Sequence, residues 1–498
     1  MEINVTTGDI AKFETDAIVV DFFEGMKNPE GDAAIVDEAL GRAISQLIGQ
    51  GEIKGKHKEI TIIHSLGRVP AGKVVVCGLG EKSKLTIDKI RGAVAETCRL
   101  IRQRNTVNIA IIPMGASIAG ITTESSSQAI TEGALLGLYT FRKHITKEPE
   151  YTEIKHLTIV DTDKSKLPAL EQGSCKGRIM AEATNLARDM VNEPANNMTP
   201  SHMAEIAVRL ASAYGLGLTI LERDKIQELG MGALLAVAQG SQQPPKFIVL
   251  RYEANESTES VALIGKGITF DSGGISIKPS EGMGEMKGDM AGGATVMAAI
   301  TAIAQLKPKI NVMAIVAATE NMPSGAALKP GDIIKAMNDK TIEIASTDAE
   351  GRLTIADALA YANKEGAKVI VDIATLTGAC RVALGDVTTG IFGNNEELIN
   401  KVIANGAEAG ELIWQMPMYE EYKEQNKSDV ADIKNVGSRY GGAITAAQFL
   451  AEFAGDTSWV HLDIAGTSMS EKEHNYLVKG ATGVAVRTLV NLILSLTK

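Results

Sequence analysis

Between Gly265 and Ala294 this chain sets ionisable side chains into a sequence that otherwise reads as protein interior. Lys266, Asp271, Lys278 and Asp289 punctuate the run GKGITFDSGGISIKPSEGMGEMKGDMAGGA, which is mostly glycine, serine and apolar residues. Lysine and aspartate are seldom fully buried without partners, because a lone charge in apolar surroundings is very costly. The fold must therefore gather these charges in one place, together with something that balances them. A second stretch, STDAEGRL at Ser346–Leu353, offers more charge of the same kind. It follows the β-like run Thr341–Ala345 and precedes a helical pattern from Leu353. Read as extended chain, it places Asp348, Glu350 and Arg352 on one face. Thr347, Ala349 and Gly351 then share the other face, small enough for the backbone to approach a ligand. Alone, an Asp-x-Glu of this sort is a solvated turn; with the first stretch present it becomes a candidate site. The first stretch is not a phosphate-binding loop, since Ser260 stands where the first glycine belongs and Gly267 where Ser or Thr should follow the lysine.

The chain around these stretches alternates β-branched and helical runs. In the first third, strands are predicted at Ala17–Val20, Ile60–His64, Val74–Cys77, Ile109–Ile112 and Leu157–Val160, with helices over Ala33–Gly49, Ile87–Gln103 and Gln128–Tyr139. Residues 145–175, rich in Lys, Glu, Thr and Pro, read as a surface connection, and a helix is predicted from Lys176 to Val191. Thr199 is placed to cap the next helix, with Pro200 at its first position. Further on, strands are predicted at Lys246–Tyr252, Val261–Gly265, Ile310–Ala318, Val369–Ala374 and Trp459–Ile464. Helices are predicted at Ala291–Gln305, Leu353–Asn363, Glu396–Gly406, Thr445–Phe453 and Thr482–Leu496. Such alternation implies α/β architecture, and 498 residues suggest two domains. The division expected is an N-terminal α/β domain over 1–165 and a larger C-terminal α/β catalytic domain with a mixed central sheet over 176–498. Every candidate ligand falls at or just beyond an element end, where open α/β sheets hold their ligands.

Composition narrows the partners. A formal net charge of −11 argues against nucleic acid or an anionic membrane as the main partner. The four cysteines form no C-x-x-C pair and read as buried thiols in a reducing compartment. The first residues carry no secretory signal pattern, and no apolar run is expected to reach the roughly 18 residues of a membrane span. The protein is expected in the cytoplasm.

None of the seven histidines lies in the two central stretches or forms H-E-x-x-H, and His461 reads as a hydrogen-bonded core residue. A hydrolytic metal site here must then rest on carboxylates. Asp271, Asp289, Asp348 and Glu350 bring four negative charges, which two divalent ions balance and one does not. Carboxylates can bridge two ions about 3.5–4 Å apart and hold a water between them as nucleophile. Lys278 and Arg352 are then surplus cations, read either as neutralising the acids or as acting in catalysis.

The two stretches together closely resemble the leucine aminopeptidase, or cytosol aminopeptidase, family of dinuclear metallopeptidases. DIATLTGA at Asp372–Ala379, GGAITAAQFL from Gly441, WVHLDIAGT from Trp459 and KGATGVAVRTL from Lys479 extend the resemblance from about residue 180 to the end. The amino-terminal third is similar only in general character; Gly8-Asp9-Ile10 and Asp16–Val20 resemble the opening of a macro-type domain. Asp21-Phe22-Phe23 follows, where ADP-ribose-binding macro modules usually have asparagines, so a structural or assembly role is expected there. The resemblance implies one metal on Lys266, Asp271, Asp289 and Glu350, and a second on Asp271, Asp348 and Glu350. Zinc and manganese both accept such mixed ligands. A ligating lysine must be neutral, which adjacent cations and a desolvated site both favour. It further implies that Lys278 faces the oxyanion of a tetrahedral intermediate and that Arg352 holds a bicarbonate that shuttles a proton. Lys278, Asp289, Thr375, Leu376 and Gly378 would contact substrate. The expected reaction is removal of amino-terminal residues, leucine and other mostly apolar ones, from peptides by a homohexamer. One departure is Ser346, where the family usually has Asn. The rival readings are a two-metal phosphoesterase, to which the missing histidines are unfavourable, and a DNA-binding or purely structural homologue.

Overall fold

The computed structural model of this chain describes residues 1–254 and 260–497. They form two compact units, Met1–Glu182 with Glu471–Val478, and Ala183–Ser470 with the residues from Lys479 onward. In the first unit the elements are β1 (Glu2–Thr7), β2 (Ala17–Phe22), α1 (Gly31–Ala39), α2 (Ala43–Gly49), β3 (Ile60–His64) and β4 (Lys73–Gly78). Then come α3 (Ile87–Arg102), β5 (Asn108–Ile111), α4 (Thr123–Gly137) and β6 (His156–Asp161). The strands order as β1-β6-β5-β2-β4-β3, parallel throughout except for the edge pair β3–β4. Runs such as Ala17-Ile18-Val19-Val20 are buried without alternation, as a sheet covered on both faces requires.

Three expectations for this third need correction. The single helix over Ala33–Gly49 is two, broken where Gly41 and Arg42 take left-handed backbone angles of 68° and 65°. The helix expected from Lys176, α5 (Leu167–Asn192), begins well before it, inside the stretch read as a surface connection, while the strand expected at Leu157–Val160 is present as β6. Of the cysteines, Cys175 is exposed, while Cys77, Cys98 and Cys380 are buried.

The second unit continues with α6 (Pro200–Tyr214), β7 (Gly217–Leu221), α7 (Arg223–Glu228), α8 (Gly232–Ala238) and β8 (Lys246–Tyr252). Next come β9 (Ser260–Asp271), α9 (Ala291–Leu306), β10 (Asn311–Asn321), β11 (Ile333–Lys335), β12 (Thr341–Glu343), α10 (Gly351–Lys364) and β13 (Val369–Ala374). It ends with α11 (Gly378–Leu384), β14 (Thr388–Gly393), α12 (Glu396–Ala409), β15 (Leu412–Gln415), β16 (Ile433–Lys434), α13 (Gly442–Ala454), β17 (Ser458–Asp463) and α14 (Val486–Ser495). Thr199 caps α6 through the His202 N–H, with Pro200 next to it. The main sheet runs β15-β14-β17-β13-β9-β10-β8-β7. Its four central strands, β17, β13, β9 and β10, are parallel, while β14 and β8 flank them antiparallel and β7 pairs antiparallel with β8. The sheet is therefore mixed. The carboxyl ends of the four parallel strands lie side by side, which gathers the loops after them.

Met283–Leu306 is long and apolar enough by composition to cross a membrane, contrary to the sequence expectation that no run reaches that length. Most of it (83%) is buried, and α9 packs on β9, β10 and β13, so its apolar character is that of a core helix.

Candidate metal centre

Strand β9 supplies two of the expected ligands, and a local irregularity decides that they can meet. Side chains alternate along a strand, so Lys266 and Asp271, five residues apart, would normally point to opposite faces. Here Thr319 of β10 lies opposite Ile268 while Glu320 lies opposite Phe270, leaving Thr269 as an extra residue in β9. One inserted residue changes the parity, as bulges beside functional sites commonly do. Lys266 and Asp271 thereby reach the same side.

Asp289 arrives because α9 lies directly on the strands. A Cβ at Gly265 would stand 2.3 Å from the Gly292 carbonyl oxygen, and one at Gly292 would stand 2.0 Å from that of Ile373. Only glycine allows this approach. It brings Asp289 Oδ1 to 2.8 Å from Lys266 Nζ and Oδ2 to 2.7 Å. Thr375, just past β13, donates its hydroxyl to Asp289 Oδ1 at 2.7 Å and offers its carbonyl to Lys266 at 3.2 Å.

The Ser346–Gly351 segment is not extended. It turns at Thr347 and Asp348 and enters α10 with Glu350 at the N-cap in helical backbone angles. The expectation of Asp348, Glu350 and Arg352 on one extended face is thus overturned, because the helix starts before Arg352. Glu350 Oε1 lies 2.8 Å from Lys266 Nζ, whereas Arg352 Nη1 donates to the Asn435 carbonyl at 2.6 Å. The turn nonetheless converges the acids. Asp271, Asp348 and Glu350 offer oxygens all within 4.8 Å of one another, and Lys278 bridges Asp271 Oδ2 (2.8 Å) and Asp348 Oδ1.

Three residues outside the expected ligand set hold these loops together. Asn435 Oδ1 accepts the Ala345 N–H at 2.8 Å while its Nδ2 donates to the Ser346 carbonyl at 2.7 Å. Thr347 donates its hydroxyl to the Gly273 carbonyl and accepts the Ser276 N–H, tying the two charged stretches to each other. Asn321, at the end of β10, donates to Asp271 Oδ1 at 2.8 Å. Asn321 and Asn435 lie in no motif of the sequence, and Thr347 stood out there only as a small residue between the charges. Ser346 Oγ accepts the Asp348 N–H at 3.3 Å, a local turn contact.

The electrostatics are those of acids in excess. Burial pulls the Lys266 amine down, but Asp289, Glu350 and Asp271 more than reverse this and leave it raised. Lys278 is raised in the same way by Asp271 and Glu350 against its burial. Burial also lifts the carboxyl groups, Asp289 to about 8, with Glu350 and Asp348 raised as well. Asp289 rises chiefly because burial disfavours its charge, with Asp271 and Glu350 adding to this, whereas Lys266 rises because the same group of acids surrounds it. Asp289 Oδ2 is buried and, though near Nζ, accepts no hydrogen bond. Three converging carboxylates and an unbalanced negative charge fit divalent cations. Burial lowers the Arg352 guanidinium to about 10 against the pull of Glu350 and Asp463, and its Nε has no hydrogen-bond partner.

Along the loop after β13, the Leu376 N–H donates to Asp463 at the end of β17 (3.2 Å), and Thr377 bonds the same carboxylate through its hydroxyl (2.7 Å). Gly378 opens α11 with free space around its Cα. His461 is fully buried with Nδ1 2.6 Å from Asp372, which also accepts the Trp459 indole N–H. It is a core residue, as expected.

A carboxylate–lysine centre at the carboxyl ends of parallel strands defines an α/β enzyme whose site is built for divalent cations. The comparisons with known proteins give it a family. The cytosol aminopeptidase family, catalytic domain, matches residues 185–490, and the family's N-terminal domain matches residues 19–148. A probable cytosol aminopeptidase of Alkaliphilus metalliredigens is 46% identical over 501 residues, covering 100% of both chains. One of Alkaliphilus oremlandii is 45% identical, also over 100% of both. Among solved structures, a mutant of tomato leucine aminopeptidase superposes with TM-score 0.88 and 34% identity, over 99% of this chain and 96% of that one. The bottromycin maturation enzyme BotP in complex with Mn superposes with TM-score 0.87 and 32% identity, over 97% of this chain and 100% of that one. The chain belongs to the cytosol aminopeptidase family. It is a metal-dependent hydrolase that acts at the amino termini of peptides.

Proposed function

We propose that the centre holds two divalent ions, manganese or zinc, on Lys266, Asp271, Asp289, Asp348 and Glu350. The observation that carries this is the convergence of Asp271, Asp348 and Glu350 beside the buried Asp289 carboxylate. Such ions supply Lewis acidity and a water acidic enough to attack near neutral pH. Lys278 is the least buried of the two lysines and donates toward the oxyanion that develops on the scissile carbonyl. Arg352, with its unpartnered Nε, would hold a bicarbonate, which would supply a proton acceptor where the nearby carboxylates are committed as ligands. The loop at Thr375, Leu376 and Gly378 presents backbone groups to the peptide, its position fixed by Asp463. The 1–165 and 176–498 division assigns all of this chemistry to the C-terminal domain. We place the enzyme in the cytoplasm as a homohexamer, with a preference for leucine and other mostly apolar amino-terminal residues. The BotP structure with Mn and the names of the relatives support the metal and the compartment.

The test compares leucyl-anilide with its N-acetyl form from pH 6 to 10. A free amine, with pKa of about 7.7–8.0, must lose its proton to ligate a metal. Cleavage should therefore need the free terminus and favour mildly alkaline conditions. Equal cleavage of both substrates retires the reading.

A further inference from the structure

Asn321 stands among the acids rather than beside them. The residue is buried at the carboxyl end of β10, directly opposite Asp271 in the register with β9. Its Nδ2 donates to Asp271 Oδ1 at 2.8 Å and to the Thr347 carbonyl at 3.0 Å, and reaches Glu350 Oε2 at 3.4 Å. One amide group thus contacts both charged stretches at once. The Asn321 backbone carbonyl separately accepts the Ser272 N–H at 3.0 Å and the Ser272 hydroxyl at 2.7 Å, which anchors the turn that follows Asp271.

The oxygens divide in a telling way. Asp271 gives Oδ2 to Lys278 and Oδ1 to Asn321, while Glu350 gives Oε1 to Lys266 and Oε2 to Asn321. Each carboxylate therefore has one oxygen toward a cation and the other on the same neutral donor. A lysine at position 321 would compete with a metal for the acids, and an aspartate would add to their repulsion. An amide donates without changing the charge. The bulge at Thr269 restores Asp271 to the face of β9 that meets Asn321.

We infer that Asn321 is a positioning residue of the metal centre. Its amide sets the angle at which Asp271 and Glu350 present their oxygens, and it holds the Thr347–Asp348 peptide so that Asp348 points inward. The inference rests on the reading of Asp271 and Glu350 as metal ligands. Groups that orient ligating carboxylates typically contribute about 10–100-fold to metal affinity or activity.

The experiment uses full-length Asn321→Leu, close in volume but without a donor, Asn321→Ser, which keeps a short donor, and Asp271→Ala. Mn affinity of each is measured by calorimetry on metal-stripped protein with a competing chelator, alongside kcat, KM and the melting temperature of the metal-free form. The expected result for Asn321→Leu is Mn affinity weaker by about 10–100-fold and a comparable fall in kcat, with KM moved far less. Asn321→Ser should recover part of the affinity. Asn321→Leu that melts lower but binds Mn and turns over like the wild type overturns the inference, because packing alone would then explain the residue. If Asn321→Leu does not fold, Asn321→Ala, which also removes the donor, decides, and wild-type Mn affinity in it is equally fatal. Undiminished Mn affinity in Asp271→Ala would instead remove the ligand assignment itself, and this inference with it.

Discussion

Gly351→Ala sets a local preference against a close approach. Gly351 opens α10, where alanine should be favoured over glycine by about 0.5–1 kcal/mol on backbone entropy alone. A Cβ there, however, would lie 2.4 Å from Lys266 Cε, 2.7 Å from Nζ and 2.8 Å from Cδ. Carbon atoms pack at about 3.5–4.0 Å, so the lysine must retreat by roughly 1 Å. Its stem is flexible, so the loss of stability should stay near the low end of the about 1–3 kcal/mol typical of overpacking, partly offset by the helix gain. The ammonium has less freedom. It is pinned 2.8 Å from Glu350 Oε1 and 2.7 Å from Asp289 Oδ2, and a shift of that size breaks at least one contact. A misplacement of about 1 Å at a reacting centre can cost about 10² in rate. The expectation is a folded variant with a nearly unchanged melting temperature, weaker metal retention against a chelator and kcat on leucyl-anilide lower by about that factor. A variant that melts higher and keeps wild-type kcat and metal would show that the contact between α10 and Lys266 carries no function.

Chelation should abolish hydrolysis and Mn or Zn should restore it; full activity in exhaustively metal-stripped protein would contradict the metal centre. Asp271→Ala and Glu350→Ala should lose metal and rate together, whereas Lys278→Ala should retain metal while kcat falls by about 10² or more, as single-turnover rates and metal analysis can show. Burial lifts the Asp357 carboxyl to about 7 even though Leu234 and Met337 N–H groups donate to it. A carboxyl raised on folding keeps its proton longer in the native state, so it costs nothing below the unfolded value near 3.9 and costs progressively more up to pH 7. Urea midpoints of Asp357→Asn relative to wild type should therefore rise between pH 5 and pH 8, and parallel curves would refute the assignment. Burial depresses His461 but Asp372 more than compensates and leaves its pKa raised, so the pair stabilises most below about pH 6.5 and less as pH climbs through the folded value. The loss in His461→Phe, measured by urea unfolding, should shrink toward alkaline pH; a pH-independent loss would show that only packing is at stake.

Much of the fold was legible because burial on both faces writes itself as unbroken apolar runs. Ile60–His64, Lys246–Tyr252 and Val369–Ala374 were read to the residue, since each is flanked by polar or turn-forming residues. The errors have separate causes. The Ala33–Gly49 helix breaks because Gly41 and Arg42 adopt left-handed angles that periodicity does not register. Strand β9 runs to Asp271, beyond the predicted Gly265, because Lys266 and Gly267 look like strand breakers until their partners on β10 and β13 are known. The strands β14 and β15 escaped notice for the opposite reason: Thr388–Gly393 and Leu412–Gln415 are short, and they show as strands only through pairing with each other and, for β14, with β17.

The site shows the same division more sharply. Which residues carry charge could be read from composition and from the two motifs, but how they meet could not. The alternation rule, applied to Ser346–Arg352, gave a single acidic face, while the chain turns there and then coils into α10. The same rule, applied to β9, would have kept Lys266 and Asp271 apart, and the extra residue at Thr269 brings them together. In both places the deciding quantity is parity, and parity depends on strand register, which one strand's sequence does not contain. A single deletion within Ile268–Phe270 would leave the composition of the motif almost unchanged. It would nonetheless turn Asp271 away from Lys266 and Asn321, and with it the oxygen that Lys278 and the metal centre share.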